Sequence, residues 1–389
     1  MQNKIEKSSI PDYLLYGFAI ASVGGPLALV MLNFFNTSYI AGSSAYSIYT
    51  VLIGILLFVA PLAIWYRYSK HIVSSGGLYT FVKRTFGERA AKVQGWTWLF
   101  SYFLYLPYTV IYISHELLPV IFPNITYYLP LISIALAFII IALMLTFRKT
   151  LYLIAATAVL QLLIILGILF YALSRGIVYS ASSSASLASL TTGSLATSLL
   201  FICASLPLFL GGEVKEGSRS VRKALVVSFV IASIFFLIGS IALLSFNSQR
   251  ISSEFPGLLA LKGSMGNSFA YFVAVAVLIS LIDLVIIEFI AITRVSYAML
   301  GLNLSKTWAI ISVLFILVTM IGIAYPSKFY NYSIIASLAA LFASQLIVFV
   351  AYPFFAKKKN ELKFSDILIT FVSCILMLYG LYTLIVQFI

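Results

Sequence analysis

Hydrophobic residues of this chain are gathered into eleven long runs that short polar segments separate. Each run holds about 20 mostly apolar residues, the length that an α-helix needs to cross about 30 Å of hydrocarbon. The runs are too long for barrel strands and lack strict alternation of polar and apolar positions, so they predict membrane-spanning helices. We place the spans at residues 13–36, 44–66, 91–115, 128–147, 150–173, 194–213, 224–246, 267–291, 307–325, 331–355 and 365–388.

The composition agrees with this pattern and excludes a soluble globular protein. Of 389 residues, 62% are hydrophobic and 9% are charged, whereas soluble domains carry roughly 25% charged residues. The two cysteines, Cys203 and Cys374, both lie in apolar runs, so they provide no disulfide framework. The two histidines, His71 and His115, fall on opposite predicted faces of the membrane. We therefore expect no metal site, no cofactor and no enzymatic activity.

The net charge of +13 indicates how the chain crosses the membrane. If the N-terminus is cytoplasmic and the loops alternate, 20 of the 24 Lys and Arg residues fall in cytoplasmic loops. This distribution follows the positive-inside rule. It predicts eleven spans, a cytoplasmic N-terminus and an extracellular C-terminus in the plasma membrane. Cationic loops beside a lipid bilayer explain the basic balance better than nucleic-acid binding does.

Two external loops stand out by their length. The segment 174–193 is rich in Ser and Ala and predicts a flexible loop. The segment 247–266 contains Pro256 and predicts either a short lid helix over an outer vestibule or a simple loop.

Two spans contain helix-breaking residues near the middle of the membrane, at 22–26 in span 1 and at 203–207 in span 6. Gly frees the backbone and Pro removes a donor, so either segment could unwind, although a single break would be read as a simple kink. The breaks lie five spans apart, and five is odd, so the chain divides into two halves of opposite orientation. Such paired breaks mark the binding site of many transporters. We expect one transporter domain over 1–389, with inverted repeats at about 13–173 and 194–355 and an extra helix at 365–388.

Three motifs resemble the amino acid–polyamine–organocation (APC) permeases. The first resembles the family's Ser-Gly-Gly-x-Tyr, Phe-Gly and Gly-Trp sequence between helices 2 and 3, and the second its Glu-Val-Lys stretch before helix 7. The third resembles the family's Arg-x-x-Tyr-Ala-Met after helix 8. The matching residues are Ser75, Gly76, Gly77, Tyr79, Phe86, Gly87, Gly95 and Trp96, then Glu213, Val214, Lys215, Arg219, Arg222 and Lys223, and finally Arg294, Tyr297, Ala298 and Met299.

The resemblance implies an all-α membrane fold with a LeuT-like 5+5 inverted repeat whose helices 1 and 6 are broken. The chain departs from the family in several places. Members commonly have twelve helices, the usual Gly-Phe-Glu of helix 6 is replaced by Ala204-Ser205-Leu206, and no Lys occurs between Lys149 and Lys215 on helix 5. The Asp-Pro-Gly-Asn and Met-Pro-His motifs of metal-ion relatives are also missing, which argues against a metal substrate.

Unwound backbone at the two breaks suits a zwitterionic substrate. Helix dipoles and the resemblance together imply that backbone at Ser22, Val23, Gly24 and Gly25 binds a carboxylate. Backbone at Cys203, Ala204 and Ser205 would then meet an amino group. The alternative is a pair of kinks packed against neighbouring helices.

Aromatic residues near the breaks are further candidates. Tyr105, Tyr108 and Tyr112 share one helix face, after Tyr102, and could line and gate a cavity, or they could simply pack. Phe201 and Phe209 flank the second break and could close over a substrate.

The two acids within span 8, Asp283 and Glu288, are costly in a membrane and should face a cavity or a partner. In the family fold, helix 8 lies beside the helix 1 break, so Asp283 is the candidate for proton or sodium coupling. A carboxyl group held out of water can bind and release a proton near neutral pH. The alternative role for Asp283 is a structural hydrogen bond. For Glu288 we favour pairing with a cytoplasmic Arg or Lys over coupling.

These observations predict a secondary active transporter that moves amino acids by alternating access, with H⁺ or Na⁺ coupling and H⁺ favoured. The alternatives are an amine or polyamine permease, an amino acid exchanger of the same fold, or a substrate sensor that does not transport. The expected partners are the small-molecule substrate, the coupling ion and the lipid bilayer, in a monomer or homodimer.

Overall fold

The computed structural model describes residues 10–35, 44–176, 186–214, 216–246 and 256–388. In these ranges the chain forms helices joined by turns and short loops, with an isolated bridge between Ile10 and Val214. Ten helical segments in the described ranges are long and apolar enough to cross a membrane. The helix that begins at Glu88 is also of membrane length but carries three charges in its first turns, and it completes the predicted eleven. The protein is therefore an all-α, multi-pass membrane protein.

In chain order, the helices are α1 (Asp12–Ser22), α2 (Pro26–Phe35), α3 (Ser44–His71), α4 (Gly77–Phe86), α5 (Glu88–Ile111), α6 (Leu118–Ile121), α7 (Leu129–Leu145), α8 (Phe147–Arg175), α9 (Leu187–Leu199), α10 (Ser218–Leu244), α11 (Pro256–Met265), α12 (Asn267–Leu300), α13 (Leu304–Ala324), α14 (Pro326–Lys358) and α15 (Phe364–Phe388). A π-helical segment, Tyr112–Leu117, joins α5 to α6, and 3₁₀ helices cover Pro123–Tyr128 and Ile202–Glu213.

The first predicted span is broken where the sequence indicates. Helix α1 ends at Ser22 and α2 begins at Pro26. The intervening glycines Gly24 and Gly25 have φ values of +110° and +67°, which residues with a Cβ atom rarely adopt. The Gly-Gly-Pro sequence therefore both ends one half-helix and starts the next, since Pro suits the first turn of a helix.

The second break lies earlier than predicted. Helix α9 ends at Leu199, and a turn at Leu200 and Phe201 leads into the 3₁₀ helix Ile202–Glu213. The predicted break at 203–207 is thus the first half of this 3₁₀ helix, with Pro207 inside it. A 3₁₀ segment bonds each N–H to the third residue back, so Pro207 marks altered helical geometry rather than an unwound stretch.

Burial shows which helices form the centre of the bundle. In the most apolar stretch of each span, 89% of residues are buried for Asp12–Asn33, 78% for α12 and 72% for Leu187–Glu213. The corresponding fraction is only 33% for Asn124–Leu145, α13 and Phe364–Val386. The two broken spans and α12 therefore lie in the protein interior, while α7, α13 and α15 present most of their surface to lipid.

The structure answers the predictions for the two long loops in part. Residues 177–185 of the first loop lie outside the described residues, but α9 begins at Leu187, so the predicted loop 174–193 is too long at its C-terminal end. In the second loop α11 is a helix, as one of the two alternatives had it. Its Gly257 packs closely on Met31 of α2.

The loops predicted to be cytoplasmic meet at one face, which we call the basic face. Ser218 bonds the Ser69 carbonyl at 2.6 Å, and Lys70 pairs with Glu361 at 3.1 Å. Arg294 lies over the ring of Phe147 at 4.6 Å. Segments from both halves of the sequence therefore end on the same side, as the alternation of charged loops requires.

Candidate functional site

The two broken spans meet at their breaks. A Cβ atom built on Gly24 would lie 3.7 Å from the carbonyl oxygen of Leu200, the residue that follows α9. Ser22 and Val23 are fully buried, and the Ser22 hydroxyl donates to the Ala19 carbonyl at 2.8 Å. The predicted binding segment of span 1 is thus at the centre of the protein, but the Ser22 side chain is occupied by its own helix.

A polar cluster from α8 and α12 lies against the first break. Gln161 of α8 accepts hydrogen bonds through Oε1 from the Ser280 hydroxyl at 2.9 Å and from the Leu27 backbone N–H at 3.4 Å. A Cβ atom on Gly25 would overlap the Ser280 hydroxyl. These residues, which we call the break cluster (Gly25, Leu27, Gln161 and Ser280), connect the start of α2 to both neighbouring helices.

Asp283 lies on α12 about one turn beyond Ser280 and is 1% exposed. Its carboxylate accepts a hydrogen bond from the Thr157 hydroxyl of α8 at 2.5 Å. This is the structural hydrogen bond that the sequence analysis gives as the alternative role, and coupling through Asp283 stays a prediction. The same two helices, α8 and α12, also meet at Gln161 and Ser280 beside the first break.

Glu288 lies on α12 in a second polar cluster, which we call the Glu288 cluster (Tyr102, Cys203 and Glu288). Its side chain is fully buried, and Oε1 lies 4.0 Å from the Cys203 Sγ. The Tyr102 hydroxyl lies 3.6 Å from the same sulfur. The second carboxylate oxygen has no hydrogen-bond partner in the part of the chain that the structure describes.

The predicted pairing of Glu288 with a cytoplasmic Arg or Lys is not found among the described residues, where its carboxylate forms no ion pair. The reason is depth: Glu288 contacts the 3₁₀ helix at Cys203 instead of extending towards the basic loops. The basic residue nearer the end of α12, Arg294, is already paired with Glu213.

Of the other span 6 candidates, Ser205 contacts α14 and Ala204 bonds within its own turn. Ser205 donates to the Ile202 carbonyl at 3.5 Å and accepts a hydrogen bond from Gln345 Nε2 at 3.4 Å. The other polar atom of the Gln345 amide, Oε1, is buried without a partner among the described residues. The Ala204 backbone N–H is bonded to the Phe201 carbonyl at 2.9 Å, within the tight turn.

Tyr105 and Tyr108 of α5 and Tyr112 of the π-helical segment contact one another in a row, in agreement with a shared helix face. The ring centroids of Tyr105 and Tyr108 are 5.6 Å apart, and those of Tyr108 and Tyr112 are 5.8 Å apart. Tyr330 of α14 stacks on both Tyr108 and Tyr112, at 5.2 and 5.9 Å. This stack joins α5 to α14 on the side away from the basic face.

Phe201 and Phe209 are both fully buried and pack in different directions. Phe201 contacts Phe58, Phe229 and Phe236 of α3 and α10, with centroids 5.3 to 5.7 Å apart. Phe209 packs against Trp98 at 4.6 Å. Phe201 is thus part of an aromatic core, and Phe209 belongs to the closure of the basic face.

That closure is dense and includes all three motifs that carry the family resemblance. Glu213 forms a two-point ion pair with Arg294, at 2.9 and 3.2 Å, and both side chains are 6% exposed. The Ile10 backbone N–H bonds the Glu213 carbonyl at 3.1 Å. A Cβ atom on Gly212 would lie 2.6 Å from the Ser75 hydroxyl. The 3₁₀ helix is thereby packed against α12, the segment before α4 and the residue Ile10 at the basic face.

Four polar residues of the site were not predicted from the sequence. Gln161 and Ser280 bond each other in the break cluster, Thr157 donates to Asp283, and Gln345 donates to Ser205. A signal existed for Gln161, because it is the one amide side chain in the predicted span 5 and polar groups in a membrane need partners. Among the described residues, no group of three or more His, Cys, Asp or Glu side chains could hold a metal ion.

Comparison with known proteins gives a clear result at the level of structure. No family model matches the sequence. No curated protein matches it either. Among solved structures, a manganese transporter of Eremococcus coleocola in complex with an aromatic bis-isothiourea compound matches with 15% identity and a TM-score of 0.65, over 100% of this chain and 92% of its own.

A second similar structure is Mhp1, a nucleobase-cation-symport-1 family transporter in a closed conformation with bromovinylhydantoin bound. It matches with 11% identity and a TM-score of 0.64, over 95% of this chain and 90% of its own. Neither name concerns an amino acid, so the APC resemblance and the amino acid substrate stay predictions. What the likeness shows is the fold: ten core helices in a LeuT-like inverted repeat, with spans 1 and 6 broken, and one additional helix.

Proposed function

We propose that this protein is a secondary active transporter that moves amino acids across the plasma membrane by alternating access, coupled to protons. The observation that carries the proposal is the meeting of two broken helices beside a buried carboxyl group, Asp283. Interrupted helices at corresponding positions of inverted halves form the substrate sites of such transporters. The fold that this chain shares with two transporters supports the proposal.

In this mechanism the substrate carboxylate binds backbone at Ser22, Val23, Gly24 and Gly25, where the positive end of α2 begins. The substrate amino group lies near the span 6 segment around Cys203. In the described structure the Gly25 N–H bonds the Ala21 carbonyl and the Ala204 N–H bonds the Phe201 carbonyl, each at 2.9 Å. In the proposed mechanism the substrate therefore binds when these turns open and exchange their bonds for bonds to its two charged ends.

Asp283 is the proposed proton carrier. Among the described residues its hydrogen-bond donor is the Thr157 hydroxyl and no cation pairs with it, so binding a proton removes an uncompensated buried charge. The neutral state is favoured inside the membrane and the charged state when water reaches the site. Since α8 and α12 also hold the break cluster, protonation biases how the first break packs.

In the proposed cycle, the packing at the basic face represents the state closed towards that side, which we assign to the cytoplasm from its loop charges. Opening to that side requires the Glu213–Arg294 pair to separate and the 3₁₀ helix to move away from residues 73–77. Substrate then enters or leaves on one side at a time.

The test is uptake by purified protein in liposomes. A panel of labelled amino acids is offered with and without an inward pH gradient. We expect at least one amino acid to accumulate and the gradient to increase its uptake. Absence of uptake and exchange for every amino acid and amine, under every gradient, would overturn the proposal.

A second candidate, an amine or polyamine permease, is favoured by the Glu288 cluster. An unpaired buried carboxylate beside span 6 is a counter-charge for a substrate cation. The same liposome panel separates the two functions when it includes each amino acid together with its decarboxylated amine. If amines are preferred, Glu288→Gln should remove the preference while Asp283→Asn should not.

A further inference from the structure

The basic face contains two adjoining cavities of about 470 and 530 Å³ between the ends of α3, α4, α14 and α15. They share His71, Phe355 and Lys359 in their walls. Together their walls hold six Lys and Arg side chains and two carboxylates, a surplus of four positive charges: Arg67, Lys70, Arg84, Lys358, Lys359 and Lys363 against Glu361 and Asp366.

The two carboxylates are already occupied. Asp366 pairs with Arg67 and accepts hydrogen bonds from the Tyr352 hydroxyl at 2.8 Å and from the Lys363 backbone N–H at 2.7 Å. Glu361 accepts from Lys70 and His71, each at 3.1 Å. These hydrogen bonds lower the pKa of the Glu361 carboxyl, Lys70 contributing most. Glu361 is therefore ionised at neutral pH and remains bound to Lys70.

Four cations consequently face the cavities without a carboxylate partner among the described residues. They are Arg84, Lys358, Lys359 and Lys363, and all four are exposed. The Lys358 ammonium donates to the Thr85 carbonyl at 2.5 Å, which fixes its position but leaves its charge uncompensated. Like charges around two adjoining cavities repel one another, so the arrangement favours a ligand with more than one negative oxygen.

The position of the cavities decides which anion fits best. They lie where α14 ends and α15 begins, at the boundary of the membrane. Exposed aromatic side chains flank them on the lipid-facing surface: the rings of Phe86 and Phe354 lie 5.3 Å apart, and Phe364 is 81% exposed. A ligand with a phosphate head and hydrocarbon chains would satisfy both surfaces, whereas a free anion would use only the first.

We propose that these cavities, the head-group pocket, bind the head group of an anionic phospholipid of the inner leaflet. Lys359 and Lys363 face the phosphate, and the acyl chains run past Phe354. Basic pockets between membrane helices on the cytoplasmic side bind lipid head groups of this kind. The site is separate from the proposed transport site, so this proposal can be tested independently of the transported substrate.

The test is native mass spectrometry of the purified full-length protein with added phosphatidylglycerol or phosphatidylcholine of identical acyl chains. We expect a tighter first binding step for phosphatidylglycerol. The variant Lys359→Gln/Lys363→Gln should weaken that step by about thirtyfold, at about 1 kcal/mol for each basic residue near a membrane surface. Both side chains are exposed, so the variant should fold normally.

The matched control is Lys149→Gln/Lys306→Gln, which removes the same charge from exposed positions in predicted cytoplasmic loops outside the cavities. Equal weakening in the control would mean that net charge attracts the lipid, and would overturn the proposal. Equal binding of the two lipids would do the same. A third arm adds inorganic phosphate at millimolar concentration, and displacement of phosphatidylglycerol by it would identify a soluble phosphate ligand instead.

Discussion

Gly25 is the residue at which backbone conformation and packing constrain the proposed site together. Its φ of +67° disfavours any side chain, and a Cβ atom would overlap the Ser280 hydroxyl. Gly25→Ala should therefore destabilise the protein by about 1–2 kcal/mol through the backbone and by about 1–3 kcal/mol more through overpacking. Thermal unfolding of the detergent-solubilised protein measures the effect.

Two variants make that result interpretable. Gly167→Ala on α8 has no atom within 4 Å of the new Cβ and should leave stability unchanged or raise it slightly. Gly25→Ala/Ser280→Ala relieves the overlap with the hydroxyl and should recover part of the loss. If Gly25→Ala melts like Gly167→Ala, the first break does not have the described geometry.

A substitution at Asp283 tests proton coupling separately from folding. Asp283→Asn keeps the size of the side chain and an oxygen that accepts from Thr157, but it cannot titrate. We expect uptake driven by a pH gradient to fall to background while substrate binding remains measurable. Thr157→Val removes the hydroxyl donor, about 1.5–3 kcal/mol for a bond to a charged group, and Thr157→Ser should restore it. An unchanged pH dependence of uptake in Asp283→Asn would remove this residue from the mechanism.

At the scale of elements, the ion pair between the 3₁₀ helix and α12 is the contact that opening must break. Arg294→Gln leaves the buried Glu213 carboxylate without its cation, at a cost of about 3–5 kcal/mol. The closed state should lose stability relative to the open one. In a Cys374→Ala background the remaining thiol is Cys203, which is 9% exposed, and its rate of reaction with a small maleimide should rise several-fold.

Two controls separate opening from general loosening. Arg219→Gln removes an exposed pair with Glu216 at 3.7 Å, a contact worth little, and should leave the rate unchanged. Glu213→Gln/Arg294→Gln removes both charges, so it should be more stable than Arg294→Gln alone. Equal labelling of Cys203 in Arg294→Gln and Arg219→Gln would contradict the gate.

How far the sequence predicts these elements depends on whether the signal is local. The first break is predicted correctly because Gly-Gly-Pro dictates its conformation within three residues. The predicted position of the second break is displaced because the prediction rests on Pro207. The α-helix ends earlier, at Leu199, in a stretch without Gly or Pro. The hydrogen bond of Asp283 to Thr157 joins residues 126 positions apart, so no local pattern could identify the partner.

At the scale of the whole molecule, the small number of charged residues within the spans and the burial of the central spans belong to one arrangement. The most buried spans are the two broken ones and α12, and α12 carries both Asp283 and Glu288. Lipid-facing helices such as α13 place their charges only near their ends, at Lys306 and, just beyond the helix, at Lys328. Polar chemistry is thereby confined to the interior and to the two faces of the bundle.

This arrangement makes the orientation of the protein testable at the two ends of α13. The helix has 21 residues, about 30 Å at 1.5 Å for each residue, so Lys306 and Lys328 lie at opposite ends of one membrane crossing. In the Cys374→Ala background, Lys328→Cys should react with a membrane-impermeant maleimide on intact cells and Lys306→Cys only after permeabilisation. The reverse pattern would place the basic face outside, against the positive-inside rule. Reaction of both positions from the same side would mean that α13 does not span the membrane.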